Sequence, residues 1–198
     1  MRFRDAIAAQ GRNLRQSGAV VAAALGQLDL EPWRSHCLAL TGMGASTYAL
    51  SAVLPGLLDG GQRALALAAD ELAAAVSAAI VDSVVVVSQG GTSTETLEAI
   101  SAADRLPRLV ITNDPVSPVA ALADSVVPLG LLEDSAVYTL GYTAAIQALG
   151  SLTEALVGLP DDGWEVLPDT VEGVLAGSAP ITTRMRPSPR ASMGPWRY

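Results

Sequence analysis

Short apolar runs of strand length alternate along this chain with longer stretches that are apolar on one side and polar on the other. The runs predict strands at Cys37–Thr41, Arg63–Leu67, Ser83–Ser88, Arg108–Thr112 and Ser125–Leu129. The longer stretches predict helices over Ala6–Leu28, Ser46–Leu58, Ser93–Arg105, Thr139–Val157 and Thr170–Ala176. Val84 to Val87 and Leu109-Val110-Ile111 are apolar on both faces, as central strands of a parallel sheet covered by helices on each side must be. Strand followed by helix, repeated, is the pattern of successive βαβ units. The expected fold is α/β: a three-layer α/β/α sandwich on a five-stranded parallel sheet, flavodoxin-like in order. In such a sheet ligands sit outside the carboxyl ends of the strands, so the loops after the strands are where chemistry is sought.

Composition narrows the classes. The chain has 198 residues, half of them hydrophobic, and few aromatics, so its core is built from Ala, Val and Leu. Twelve basic against twenty acidic residues leave a net charge of −8, which disfavours a nucleic-acid surface. Every basic residue is arginine; without lysine, neither Schiff-base chemistry nor a Walker-type phosphate lysine is available. One cysteine, Cys37, and one histidine, His36, allow no disulfide and no thiolate metal cluster, and the expectation is a cytoplasmic protein without metal, cofactor or membrane span. Residues 184–198 hold four arginines, no acid and three of the twelve prolines, and read as a flexible tail. The expected division is an N-terminal helical segment 1–30, a domain at 31–160, a C-terminal helical segment 161–183 and the tail.

Two loops carry the candidate chemistry. Thr41-Gly42-Met43-Gly44-Ala45-Ser46 follows the first strand, with glycines for a tight turn and Ser46 offering a hydroxyl at the start of a helix. Ser88-Gln89-Gly90-Gly91-Thr92-Ser93-Thr94-Glu95 follows the third, rich in hydroxyls and without fixed positive charge; Thr92 and Glu95 fit a capping box for the next helix. Two such loops, each feeding a helix N-terminus, describe a phosphate cradle of dipoles and hydroxyls. A dinucleotide fingerprint would need a third glycine, which the first loop lacks.

Six segments in order resemble the sugar isomerase (SIS) domain family, closest to the isomerase half of glucosamine-6-phosphate synthase. They are Asp5-Ala6-Ile7 with Gln10, Gly42 to Ser46, Ala69-Asp70-Glu71-Leu72, Ser88 to Ser93, Ile111-Thr112-Asn113 with Ser117-Pro118, and Glu133 to Thr143. The resemblance implies a phosphosugar site formed by Gly42, Gly44, Ser46, Ser88, Gln89, Gly91, Thr92 and Ser93, with Ala136 and Val137 along the sugar. It also implies aldose–ketose isomerisation without metal or organic cofactor. This sequence departs from the family pattern at Gly90, where a phosphate-binding serine is usual, at Thr92, where a glutamate is usual, and at Leu140, where a lysine is common. Members with this motif set carry two such domains, so the chain is expected to be the first half of a two-domain enzyme or a phosphosugar sensor without turnover.

Isomerisation needs a base within reach of the sugar's first two carbons. Glu133 is the candidate by location, its alternative role being to order the loop by accepting backbone amides. Glu71 is expected to fix a chain end. His36 falls at the wrong edge of the sheet and Cys37 is expected to be a buried, inert thiol. The alanine-rich first helix suits contact with a second subunit, and a homodimer is expected.

Overall fold

The computed structural model describes residues 1–34, 37–131, 133–159 and 163–184, with the side chains of 179–184 left out of the description. His36 and residues 185–198, most of the expected tail, lie outside the described residues.

Five parallel strands form the middle layer: β1 (Leu38–Gly42), β2 (Ala64–Ala68), β3 (Ser83–Val87), β4 (Arg108–Thr112) and β5 (Ser125–Pro128), in the order β2-β1-β3-β4-β5. Each falls within a residue of its expected position at either end. Side chains alternate across the strands and sort the core in two. Leu38 and Leu40 of β1, Val85 and Val87 of β3, and Leu109 and Ile111 of β4 face one layer of helices. Ala39, Val84, Val86 and Val110 face the other. The first layer holds α2 (Gln10–Leu25), α3 (Ala45–Leu50), α4 (Leu54–Asp59) and α7 (Leu140–Val157); the second holds α5 (Ala69–Ser77) and α6 (Thr94–Ala102). Trp33, 3% exposed, donates its indole N–H to the Val84 carbonyl at 3.2 Å, pinning the chain segment that enters β1 against the sheet.

Three helical expectations need correction, and one helix lies outside them. The first helix breaks at Ala9 into α1 (Phe3–Ala8) and α2. The second breaks into α3 and α4, because Pro55 has no N–H to continue the ladder and sits instead in the first turn of a new helix. α5 was not expected at all. Its start is set by Glu71, whose carboxylate accepts the Ala68 N–H at 2.9 Å, the chain-fixing role anticipated for that residue. The last helix, α8 (Leu167–Arg184), begins three residues earlier and runs eight longer than the periodicity predicts, and so takes in Arg184 of the expected tail. α8 lies outside the sandwich against α2, where Arg15 reaches Glu172 at 2.7 Å and also pairs with Asp169.

Candidate functional site

Because β1 and β3 are hydrogen-bonded neighbours, the loops after them emerge side by side at the carboxyl edge of the sheet. Each turns on a glycine in the left-handed region, Gly44 (φ 58°) and Gly91 (φ 62°). Between them lies a cavity of about 240 Å³, closed on its far side by Leu129 and the start of α7.

The first turn is held by Thr47, whose hydroxyl donates to the Gly42 carbonyl at 2.7 Å. Gly42 itself lies under the turn: a Cβ there would come within 2.8 Å of Ser46 Cβ, so this glycine serves close packing and does not line the cavity. The second turn is held from β4. The Gln89 carbonyl accepts the Asn113 N–H at 2.9 Å and the Thr112 hydroxyl at 3.1 Å, and the Gly91 carbonyl accepts the Val119 N–H at 3.1 Å. Ser117, 2% exposed, sits so close beneath Gly91 that any Cβ there would overlap it. Four backbone and side-chain contacts thus fix the loop before any ligand arrives.

Of the expected site residues, Gly44, Ser46, Ser88, Gln89, Gly91, Thr92 and Ser93 line this cavity together. The side chains of Ser46, Ser88, Gln89 and Thr92 make no hydrogen bond to any described residue. Ser93 is different: it is the N-cap of α6, its oxygen accepting the Thr96 N–H at 3.3 Å and contacting the Thr96 hydroxyl. The cap is therefore Ser93 and not Thr92, and the expected Thr92–Glu95 box does not form. The helix-dipole contribution is also unequal between the loops. α6 has nine residues, whereas α3 has six and carries little dipole.

Glu133, Ala136 and Val137 do not reach the cavity lining. Glu133 is 86% exposed in its side chain and pairs with the amino group of Met1 at 3.0 Å. The loop-ordering role considered for it belongs to its neighbour. Asp134 accepts backbone N–H groups from Ser135, Thr139, Leu140 and Gly141 at 2.7–3.2 Å, filling the N-terminus of α7. Burial works against its ionised form, but these four donors outweigh burial and hold the carboxyl below the usual aspartate range. Leu140 points away, buried with Ala6 and Ala9 of the N-terminal helices. Pattern reading did not single out Tyr138, Tyr142, Gly141, Ala145 and Leu129, which complete the cavity from the other half of the chain. Among the described residues lining it there is no Asp, Glu, His, Lys or Arg, and no described group of side chains could hold a metal ion.

No family profile and no curated protein matches the sequence. Solved structures do. The C-terminal domain of glucosamine-fructose-6-phosphate aminotransferase from Francisella tularensis superposes with a TM-score of 0.66 at 17% identity, over 88% of this chain and 53% of that one. Glucosamine-6-phosphate deaminase from Thermotoga maritima gives 0.67 at 16% identity, over 88% and 56%. The sugar isomerase domain of an RpiR transcription factor from Sphaerobacter thermophilus gives 0.56 at 21%, over 92% and 96%. The fold is that of the SIS domain. The chain spans little more than half the length of the aminotransferase's C-terminal domain and of the deaminase, and nearly all of the RpiR sugar isomerase domain. Within this SIS fold the cavity occupies the carboxyl edge at β1 and β3, where the strand order reverses direction.

Proposed function

We propose that this chain binds a phosphorylated sugar, with the phosphate held between the β1 and β3 loops. The observation that carries this reading is the set of polar side chains left uncommitted there: the hydroxyls of Ser46, Ser88 and Thr92, and the Gln89 amide, all facing one cavity on a pre-set loop. A phosphate supplies the acceptors such donors need, and hydrogen bonds to a charged group contribute about 1.5–3 kcal/mol each. The similarity of fold to phosphosugar enzymes and to a regulator's sugar isomerase domain points the same way. Titration calorimetry with fructose 6-phosphate and glucosamine 6-phosphate tests it, with the Ser46→Ala/Ser88→Ala variant as control. Saturable heat in the parent that the variant loses is the expected result; heat unchanged by the variant rejects the site.

Isomerisation at this site would need a base from beyond the described lining of the cavity. Proton transfer between two sugar carbons needs a carboxylate or imidazole at the reacting atoms, and the described cavity lining supplies neither. Isomerisation by Glu133 would need that carboxylate to leave Met1 and enter the cavity. Exchange of the sugar's C2 hydrogen in deuterated water decides between binding alone and turnover: label incorporation at a rate that Glu133→Gln abolishes establishes the enzyme. The expected homodimer would use the alanines of α2 that α7 and α8 leave exposed, Ala19, Ala22 and Ala23. Sedimentation at micromolar concentration checks it.

A further inference from the structure

The motif Asp5-Ala6-Ile7 with Gln10 contributes nothing to the lining of the cavity, but two of its residues meet α7 from behind. Ala6, with Ala9, packs on Leu140. Gln10, 8% exposed, spans the first turn of α7: its Nε2 donates to the Thr139 carbonyl at 3.3 Å, and its Oε1 accepts the Thr143 hydroxyl at 2.6 Å. Gly141 and Ala145, which line the cavity, lie about half a turn round the helix from Thr143. On that side the Gly141 backbone has no spare room against the Gln89 amide, which a Cβ there would overlap. Gln10, the first turn of α7 and Gln89 thus form one contiguous column from the N-terminal helices to the phosphate loop.

Apolar packing of the kind made by Ala6, Ala9 and Leu140 buries this corner, but it is non-directional and leaves a helix free to turn about its axis or to slide. A buried amide whose donor and acceptor are both met on a single helical turn fixes rotation and height together. Resting on the phosphosugar reading above, we infer that Gln10 is a positioning residue of the ligand site: without touching the ligand it sets the α7 turn on which Gln89 rests, so that docking of the N-terminal helices and ligand binding are coupled. The coupling is reciprocal, and a bound ligand tightens the docking of those helices as much as their docking favours the ligand.

The test measures the affinity for fructose 6-phosphate and glucosamine 6-phosphate by calorimetry on the full chain. Gln10→Met keeps the length of the side chain and drops both hydrogen bonds; Thr143→Val drops one. In Gln10→Met the Thr143 hydroxyl still has the Leu140 carbonyl 3.2 Å away, so it is not stranded. Val21→Ala, at a buried core position eleven residues further along α2, is the control for a general loss of stability. Binding is expected to weaken by about fivefold or more in Gln10→Met, and by less in Thr143→Val, while Val21→Ala lowers the melting temperature and keeps the parent's affinity. Hydrogen exchange reads the converse on the parent: saturating sugar phosphate should slow exchange in residues 3–13, and less so in Thr143→Val. Should Gln10→Met not fold, Thr143→Val and the exchange measurement decide. Parent-like affinity in both variants, an equal loss of affinity in Val21→Ala, or exchange in residues 3–13 that ignores the ligand overturns the role of Gln10 and leaves the phosphosugar site standing. If the parent binds neither compound, the site and the coupling fall together.

Discussion

The side-chain amide of Gln89, on the loop after β3, rests directly on the α-carbon of Gly141 in the first turn of α7, so that a Cβ at Gly141 would overlap it. The contact joins two halves of the cavity that are 52 residues apart in sequence. It predicts that Gly141→Ala forces Gln89 toward the ligand space. Alanine is favoured over glycine in a helix by up to about 1 kcal/mol, so the fold should not suffer. Expected are an unchanged or slightly raised melting temperature and sugar-phosphate binding weakened by about tenfold. Equal affinity in variant and parent would mean that Gln89 has room to move aside.

Ser88 and Ser93 both carry hydroxyls to the cavity but differ in what else they do. Ser93 caps α6, and its replacement by alanine should cost about 1 kcal/mol of stability as well as affinity. The Ser88 hydroxyl has no hydrogen-bond partner among the described residues, so Ser88→Ala should weaken phosphosugar binding with the melting temperature nearly unchanged. Thermal melts with and without ligand separate the two. A loss of stability in Ser88→Ala matching that in Ser93→Ala would show that Ser88 also has a structural partner.

How far the sequence exposes this architecture depends on the kind of signal each element carries. Val84 to Val87 and Leu109 to Ile111 announce buried strands because they are apolar on both faces, and their order then places the cavity edge. α5 is hidden because Ala73, Ala74 and Ala75 give no contrast between its faces, and only Leu72 and Ala75 are buried on it with Ala69. The two loops of the site are readable from glycines and hydroxyls that are contiguous in the chain. Tyr138, Tyr142 and Ala145 are not, since nothing local to them marks a site, and only the packing of α7 across the sheet brings them there. The choice between Thr92 and Ser93 as cap depends on a one-residue difference in where the helix starts, which propensity does not resolve. Likewise Glu133 and Asp134 are adjacent acids in one loop, and only the fold shows which of them faces the α7 amides.

Gly91 predicts a second loss of function by a different route. Its φ of 62° suits glycine, and a side chain there would also meet Ser117 from below. Gly91→Ala should therefore destabilise the loop by about 1–2 kcal/mol from the backbone alone. The companion change Ser117→Gly removes the overlap but not the backbone strain. The double variant is expected to regain part, not all, of the stability lost, as read from denaturant midpoints. Full recovery would show that the clash with Ser117 and not the backbone sets the requirement for glycine.

Asp134 makes the stability of the site depend on pH. Its carboxyl is held below the ordinary aspartate value in the folded chain, so the unfolded chain takes up the proton first as pH falls. The stabilisation is present in full above the unfolded aspartate pKa, about 3.9, and is lost as the pH drops through the folded value below it. Asp134→Asn keeps the size of the side chain and one carbonyl acceptor but removes the charge and the second oxygen that share four N–H donors. At pH 7 the variant should lose about 1.5–3 kcal/mol, the contribution of hydrogen bonding to a charged acceptor. Near pH 3 the gap between parent and variant should narrow, because the parent is then losing the same charge. Because Asp134 orders the turn that presents Tyr138, Gly141 and Tyr142, ligand affinity should fall along with stability at neutral pH. A stability difference that stays constant from pH 7 to pH 3 would assign the effect to shape alone and remove the ionised carboxylate from the account of how α7 is held at the cavity.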